Sequence, residues 1–206
     1  ENSITYDTCE DLVVIERAGS AFGRFQKMLD GFDASSLHIS IPDFHNTKKR
    51  FENFHIAIDN DSYGRVSKVK EEIDKLLAFE ERACQLQDYL DDGALALRVT
   101  HNDTKCNNVS FDKTTHEALA VLDLDTVMPG AIAYDFGDAI RFIANTVIED
   151  DPDVDKVRLD LDKYEAFAKG FVTEVQEKLT EEEKKTLNLG VFTMTVELAV
   201  RFLTDY

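Results

Sequence analysis

Apolar residues return at three- and four-residue steps along most of the chain. Leu12, Ile15, Phe22, Phe25 and Leu29 form one such series and predict an amphipathic helix that stops at Gly31. Phe51, Phe54 and Ile58 repeat the spacing over a shorter segment, with Thr47 placed to cap it. Val66, Val69, Ile73, Leu76, Ala83, Leu86 and Leu90 predict a long helix ending at the Asp91-Asp92-Gly93 turn. Two more stretches, roughly 164–175 and 181–203, carry the same period. The second opens on Thr180 with Glu183 three residues later, the spacing of a capping box.

The middle of the chain reads differently. Residues 94–100, 108–111 and 118–122 are short, apolar or β-branched, and separated by turn residues, so they predict small strands around loops. Residues 112–117 fit a hairpin turn. No repeat, low-complexity tract or Pro/Gly/Ser linker interrupts residues 1–206, and a single domain follows. Helices flanking a few short strands give a mainly helical α+β class. The chain opens on Glu1 rather than Met and stops at Asp205-Tyr206 inside or just past a helical pattern, which reads as a fragment of a longer protein.

Charge narrows the function. The net charge is −18, which repels phosphate backbones and anionic lipid, so neither nucleic acid nor a membrane surface is expected as a partner. The longest unbroken apolar run, Ala118 to Leu122, is far short of a bilayer span, and no secretory signal opens the chain. Cys9, Cys84 and Cys106 are scattered and odd in number, which points to a reduced cytoplasm rather than a disulfide framework. They lack C-x-x-C spacing, so no zinc or redox motif is indicated. A 43% hydrophobic content with 14 Phe excludes disorder.

The chemistry concentrates in Thr100-His101-Asn102-Asp103-Thr104-Lys105-Cys106-Asn107-Asn108, followed by Val121-Leu122-Asp123-Leu124-Asp125. His-x-Asp-x-x-x-x-Asn is the catalytic-loop pattern of phosphoryl-transfer kinases, and Lys105 sits two residues after the Asp, as in many protein kinases. In that chemistry an Asp accepts the proton of the attacking hydroxyl. An Asn five residues on turns back to hold a metal ion, and an Asp after the next hairpin holds the metal that bridges the nucleotide phosphates. Here those residues are Asp103, Asn108 and Asp123. The apolar strand that delivers Asp123 at the expected distance makes the pattern far more specific than the three residues alone.

The stretch resembles the aminoglycoside phosphotransferase and choline kinase superfamily, whose fold is similar to that of protein kinases. Its closer likeness is to the N-acetylhexosamine 1-kinases, which phosphorylate the anomeric hydroxyl of N-acetylglucosamine or N-acetylgalactosamine with ATP and Mg²⁺. That likeness is carried by Phe22-Gly23-Arg24-Phe25-Gln26, Ile41-Pro42-Asp43-Phe44-His45-Asn46-Thr47, Arg98 to Lys105, Leu122 to Gly130, Tyr134-Asp135-Phe136-Gly137-Asp138 and Arg201 to Tyr206. The resemblance implies Asp103 as catalytic base with His101 orienting the loop. It implies Asn108 and Asp123 as Mg²⁺ ligands and a role in amino-sugar salvage. Lys105 reads as a γ-phosphate contact, because the loop must neutralise developing negative charge, or as a solvated surface lysine. Asp135-Phe136-Gly137 spells the metal-binding triplet of protein kinases, but Asp123 already takes that place, and in this superfamily the equivalent Asp starts a helix and braces the catalytic loop.

Other positions stay open between two readings. Asp125 would share the direction of Asp123 if the strand continued, and touches metal or substrate or merely caps a turn. His45 reads as a packing histidine or as a substrate contact. Arg201 and Asp205, four apart on a helix, read as an ordinary ion pair or as partners of sugar hydroxyls. Asp151, Asp153 and Asp155 imitate an EF-hand start, but Lys156 and Asp162 stand where Gly and Glu are needed, leaving a solvated acidic loop. No Cys or Ser lies in a C/S-x-P-x-R sequence, so sulfatase chemistry is excluded.

Relatives also carry an N-terminal lobe with a phosphate-covering loop and a strand Lys. None of the nine glycines forms G-x-G-x-x-G. The expectation is therefore the helical lobe alone, inactive by itself and completed by the N-terminal lobe of the same protein. Within the superfamily an aminoglycoside, choline or homoserine kinase is the alternative, and a non-catalytic kinase-like binding lobe is another.

Overall fold

A computed structural model of the chain describes residues 2–147 and 151–206. In chain order the elements are β1 (Ser3–Ile4), α1 (Leu12–Met28), α2 (Thr47–Asn60), α3 (Lys70–Asp91), β2 (Arg98–Thr100), β3 (Val109–Asp112), β4 (Ala118–Val121), β5 (Met128–Gly130), α4 (Ile132–Ile143), α5 (Leu161–Val175) and α6 (Glu181–Asp205). Strands β1, β3 and β4 form one antiparallel sheet in that order, and β2 pairs antiparallel with β5. The fold is mainly helical α+β.

Two helix crossings set the frame. On α1, a Cβ at Gly19 would come 2.3 Å from the Phe167 carbonyl oxygen of α5, so only glycine lets these backbones meet. The facing apolar stripe buries Ile15, Phe22, Phe167 and Phe171 with Phe136 of α4. The second crossing joins α4 to α6, where a Cβ at Gly137 would sit 2.3 Å from the Gly190 carbonyl oxygen. Phe51 and Phe54 of α2, Ile73 of α3 and Val200 of α6 form a second core. Helix α6 contains a stretch long and apolar enough to cross a membrane, but the helix is packed against α2, α3 and α4.

Local signals explain most boundaries. The Thr180 hydroxyl accepts from the Glu183 N–H while the Glu183 carboxylate accepts from the Thr180 N–H, a reciprocal cap that starts α6. Glu183 also receives Arg98 at 2.5 Å, and Arg98 reaches Asp30 at 2.9 Å, tying α6 to the start of β2. Helix α2 departs from expectation, because Asn46 is its cap, accepting from the Lys49 N–H at 3.0 Å. Thr47 is instead buried in the first turn. Val66–Lys68 forms a separate 3₁₀ turn ahead of α3, and residues 94–97 stay outside the strand.

Candidate active site

The segment between β2 and β3 is clamped from below by the first turns of α4. Asp135 is fully buried, and its carboxylate accepts from the Asn102 N–H at 2.8 Å, the His101 N–H at 2.9 Å and the Gln26 amide at 2.7 Å. Burial raises its carboxyl above the usual range, against the pull of the His101 ring and these N–H donors. One turn on, Asp138 accepts from the Thr104 N–H at 2.9 Å and pairs with Arg141 at 3.0 Å. The clamp holds Asn102 in the left-handed region (φ 65°), a conformation an unconstrained Asn visits at a cost. Asp135 therefore faces backbone N–H groups, Phe136 fills the core and Gly137 seats α6.

Above the clamp, Asp103 and Asn108 meet. The Asn108 amide donates to the Asp103 carbonyl at 2.8 Å and to its carboxylate at 3.0 Å. Lys105 Nζ lies 3.4 Å from the other carboxylate oxygen. His101 is buried between Phe22 and Phe25; its Nε2 donates to the Leu122 carbonyl at 2.8 Å, and its Nδ1 accepts from the Asp103 N–H at 3.3 Å. The Leu122 N–H donates to the Asn108 carbonyl at 2.8 Å. His101 thus ties the loop to the residue before Asp123, and β3 and β4 deliver Asn108 and Asp123 side by side in chain path. Asp123 is exposed and left-handed (φ 56°), ending β4. Asp125 falls in a 3₁₀ turn (Leu124–Thr126), so strand alternation does not carry from Asp123 to Asp125.

A cleft of about 130 Å³ opens beside Asp103. Phe44, His45, Lys105, Met194, Arg201 and Phe202 line it. It also holds two residues the sequence reading missed, Asp138 and Glu197. Glu197 is buried on the apolar stripe of α6, and a lone acid at such a position was the available signal. Arg201 and Asp205 form no ion pair: Arg201 faces the cleft, while Asp205 lines a different hollow with Phe54, Tyr63 and Leu203. A larger cavity, about 570 Å³, lies behind the loop against Cys106 and Lys163 and includes none of Asp103, Asn108 or Asp123.

Among the described residues, no three His, Cys, Asp or Glu side chains cluster as a metal cage. The amide oxygen of Asn108 and the carboxylate of Asp123 are hard oxygen donors. That set suits Mg²⁺, which keeps several waters and takes one or two protein oxygens plus substrate phosphates.

The phosphotransferase enzyme family matches residues 5–170, spanning the clamp, the loop and the Asp123 turn. The chain belongs to that family. Among solved structures, a choline kinase from Cryptosporidium parvum Iowa II superposes with a TM-score of 0.51 at 13% identity, over 98% of this chain. At that identity the likeness is one of fold. The chain spans 63% of that kinase's length.

Proposed function

We propose that the full-length protein is an ATP-dependent small-molecule kinase that transfers the γ-phosphoryl group to the anomeric hydroxyl of an N-acetylhexosamine. The observation that carries the kinase reading is the Asp103–Asn108–Lys105 arrangement beside the cleft; the sugar rests on the sequence resemblance to the N-acetylhexosamine 1-kinases. The Asn108 amide fixes one carboxylate oxygen of Asp103, so the other is held at a defined position to take the proton of a hydroxyl. An anomeric hydroxyl is more acidic than an alkyl alcohol, so orientation outweighs base strength here. Lys105, close to Asp103, balances negative charge that develops on the transferring group. Asn108 and Asp123 would hold Mg²⁺, which, when bound, neutralises phosphate charge and orients the nucleotide. A preceding lobe would supply the remaining nucleotide contacts.

Charge balance supports a neutral acceptor. Asp138 is paired with Arg141, and Glu197 with His45. With Lys105 beside Asp103 and Arg201 on the wall, the cleft has no surplus of free carboxylates to draw a cation such as choline or an aminoglycoside. Phe44 and Phe202 offer apolar faces, and Arg201 offers donors, which suits the mixed surface of a sugar.

Phosphorus NMR of the full-length protein with ATP, Mg²⁺ and N-acetylglucosamine or N-acetylgalactosamine tests the reading. A sugar 1-phosphate should form, and the methyl glycosides, which lack the nucleophile, should not react. Equal turnover of the methyl glycosides would overturn the anomeric assignment. Turnover of choline, homoserine or an aminoglycoside alone would move the acceptor within the family.

A further inference from the structure

His45 and Glu197 come from distant parts of the chain and meet in the wall of the acceptor cleft. Nδ1 of His45 lies 2.9 Å from one Glu197 carboxylate oxygen, and Nε2 lies 3.2 Å from the Asn102 carbonyl. The second Glu197 oxygen accepts from the Thr47 hydroxyl at 2.9 Å. Side-chain exposure is 11% for His45 and 7% for Glu197, and the rings of Phe44 and Tyr134 pack against the imidazole. A carbonyl oxygen only accepts, and so does an ionised carboxylate. Both imidazole nitrogens must then donate, which only the imidazolium can do. Both nitrogens of His45 are then engaged within the protein, and neither is left for substrate.

We propose that His45 and Glu197 form a buried imidazolium–carboxylate pair that positions Asp103 by holding the Asn102 carbonyl, and with it the left-handed turn that aims the next residue. His45 is thereby a positioning residue and not a substrate ligand, and Glu197 acts through it. The positioning role rests on the reading of Asp103 as proton acceptor; the pair itself does not.

The surroundings favour the cation. Burial alone would push the imidazole pKa down, but the Glu197 charge and hydrogen bond, the Asp138 charge from α4 and the Asn102 carbonyl outweigh it and hold the pKa above its ordinary 6.5. Lys105 of the loop, Arg141 of α4 and Arg201 of α6 line the same cleft and oppose this, with Lys105 and Arg141 offset by Asp103 and Asp138. Burial pushes the Tyr134 phenol up, so it stays neutral. On the histidine's own segment, Asp43 is exposed and bonded to Asn46. When the imidazolium loses its proton, one of its two acceptors faces a lone pair, the turn loosens and Asp103 loses its aim.

Imidazole NMR of the full-length protein over about pH 5.5 to 9.5 reads the pair without any substrate. The His45 signal, assigned by its loss in His45→Gln, should titrate above 6.5 in the wild type, and Glu197→Gln should lower it by a unit or more, a tenfold loss of proton affinity. With an accepted substrate, kcat should fall on the alkaline side at the value NMR gives. That limb should vanish in His45→Gln and move down in Glu197→Gln, with the KM for ATP within about twofold. A wild-type His45 that titrates at or below 6.5, or a titration Glu197→Gln leaves in place, overturns the pair. An alkaline limb unchanged in His45→Gln overturns the positioning role. A protein that phosphorylates no acceptor overturns that role together with the kinase reading, while the wild-type NMR titration decides the pair separately.

Discussion

The Asn108 amide reaches back across five residues to donate to both the carbonyl and the carboxylate of Asp103, at 2.8 and 3.0 Å. One side chain therefore sets both the loop's shape and the rotamer of its acid. Replacing it frees the carboxylate to turn. Asn108→Ala should lower kcat about 10²-fold, the cost of losing near-attack geometry, and should raise the Mg²⁺ concentration needed for half-maximal rate. Steady-state kinetics across a magnesium series checks both.

Asp123 and Asp135 should separate cleanly. Asp135→Ala strands the Asn102 and His101 N–H groups and the Gln26 amide in the interior. The expected loss is on the order of 3 kcal/mol or more in urea unfolding. Asp123 is exposed, so Asp123→Asn should leave the unfolding midpoint nearly unchanged and weaken the Mg²⁺ dependence instead. The reverse outcome would place the metal at the Asp135-Phe136-Gly137 triplet.

The α4–α6 crossing has no room for a methyl group. A Cβ at Gly190 would lie 2.0 Å from the Ala133 carbonyl oxygen. Gly190→Ala should cost about 2 kcal/mol or more despite the better helix propensity of alanine, read as a lowered urea midpoint.

Much of this was legible in the chain. The period of Leu12 to Leu29 gave α1, and Thr180 with Glu183 gave the start of α6. His101, Asp103 and Asn108 marked the loop through spacing alone. Helix α4 enters only through the resemblance, as the helix that Asp135 starts, and not through the period of its residues: no side chain caps Ala131, and Asp135, Gly137 and Asp138, all buried here, interrupt the apolar run. Strand β5 holds Pro129 and Gly130, which argue against a strand, and β1 is two residues long. Asn46 took the cap assigned to Thr47 because the Thr47 hydroxyl is committed to Glu197. That link, and the Asp138 contact with the loop, join residues far apart in sequence, which local patterns cannot pair.

Acid should undo the Arg98 hub. Burial raises the Glu183 carboxyl, but Arg98 and the Thr180 cap outweigh it, so its folded pKa lies below the ordinary 4.5. A depressed carboxyl contributes stability above its unfolded pKa and loses it as pH falls through the folded value. Urea midpoints of the wild type should therefore decline below about pH 4.5, and Glu183→Gln, already weaker at neutral pH, should show a shallower decline.

The measurement that bears most directly on the central claim is kcat for Asp103→Asn beside its ATP affinity, in the full-length protein with an accepted sugar. The substitution keeps the shape and removes the proton acceptor. A fall of roughly 10²- to 10⁴-fold in kcat with ATP affinity little changed is the expected result. A variant that keeps more than about a tenth of wild-type kcat would contradict the assignment of Asp103 as the group that takes the acceptor's proton.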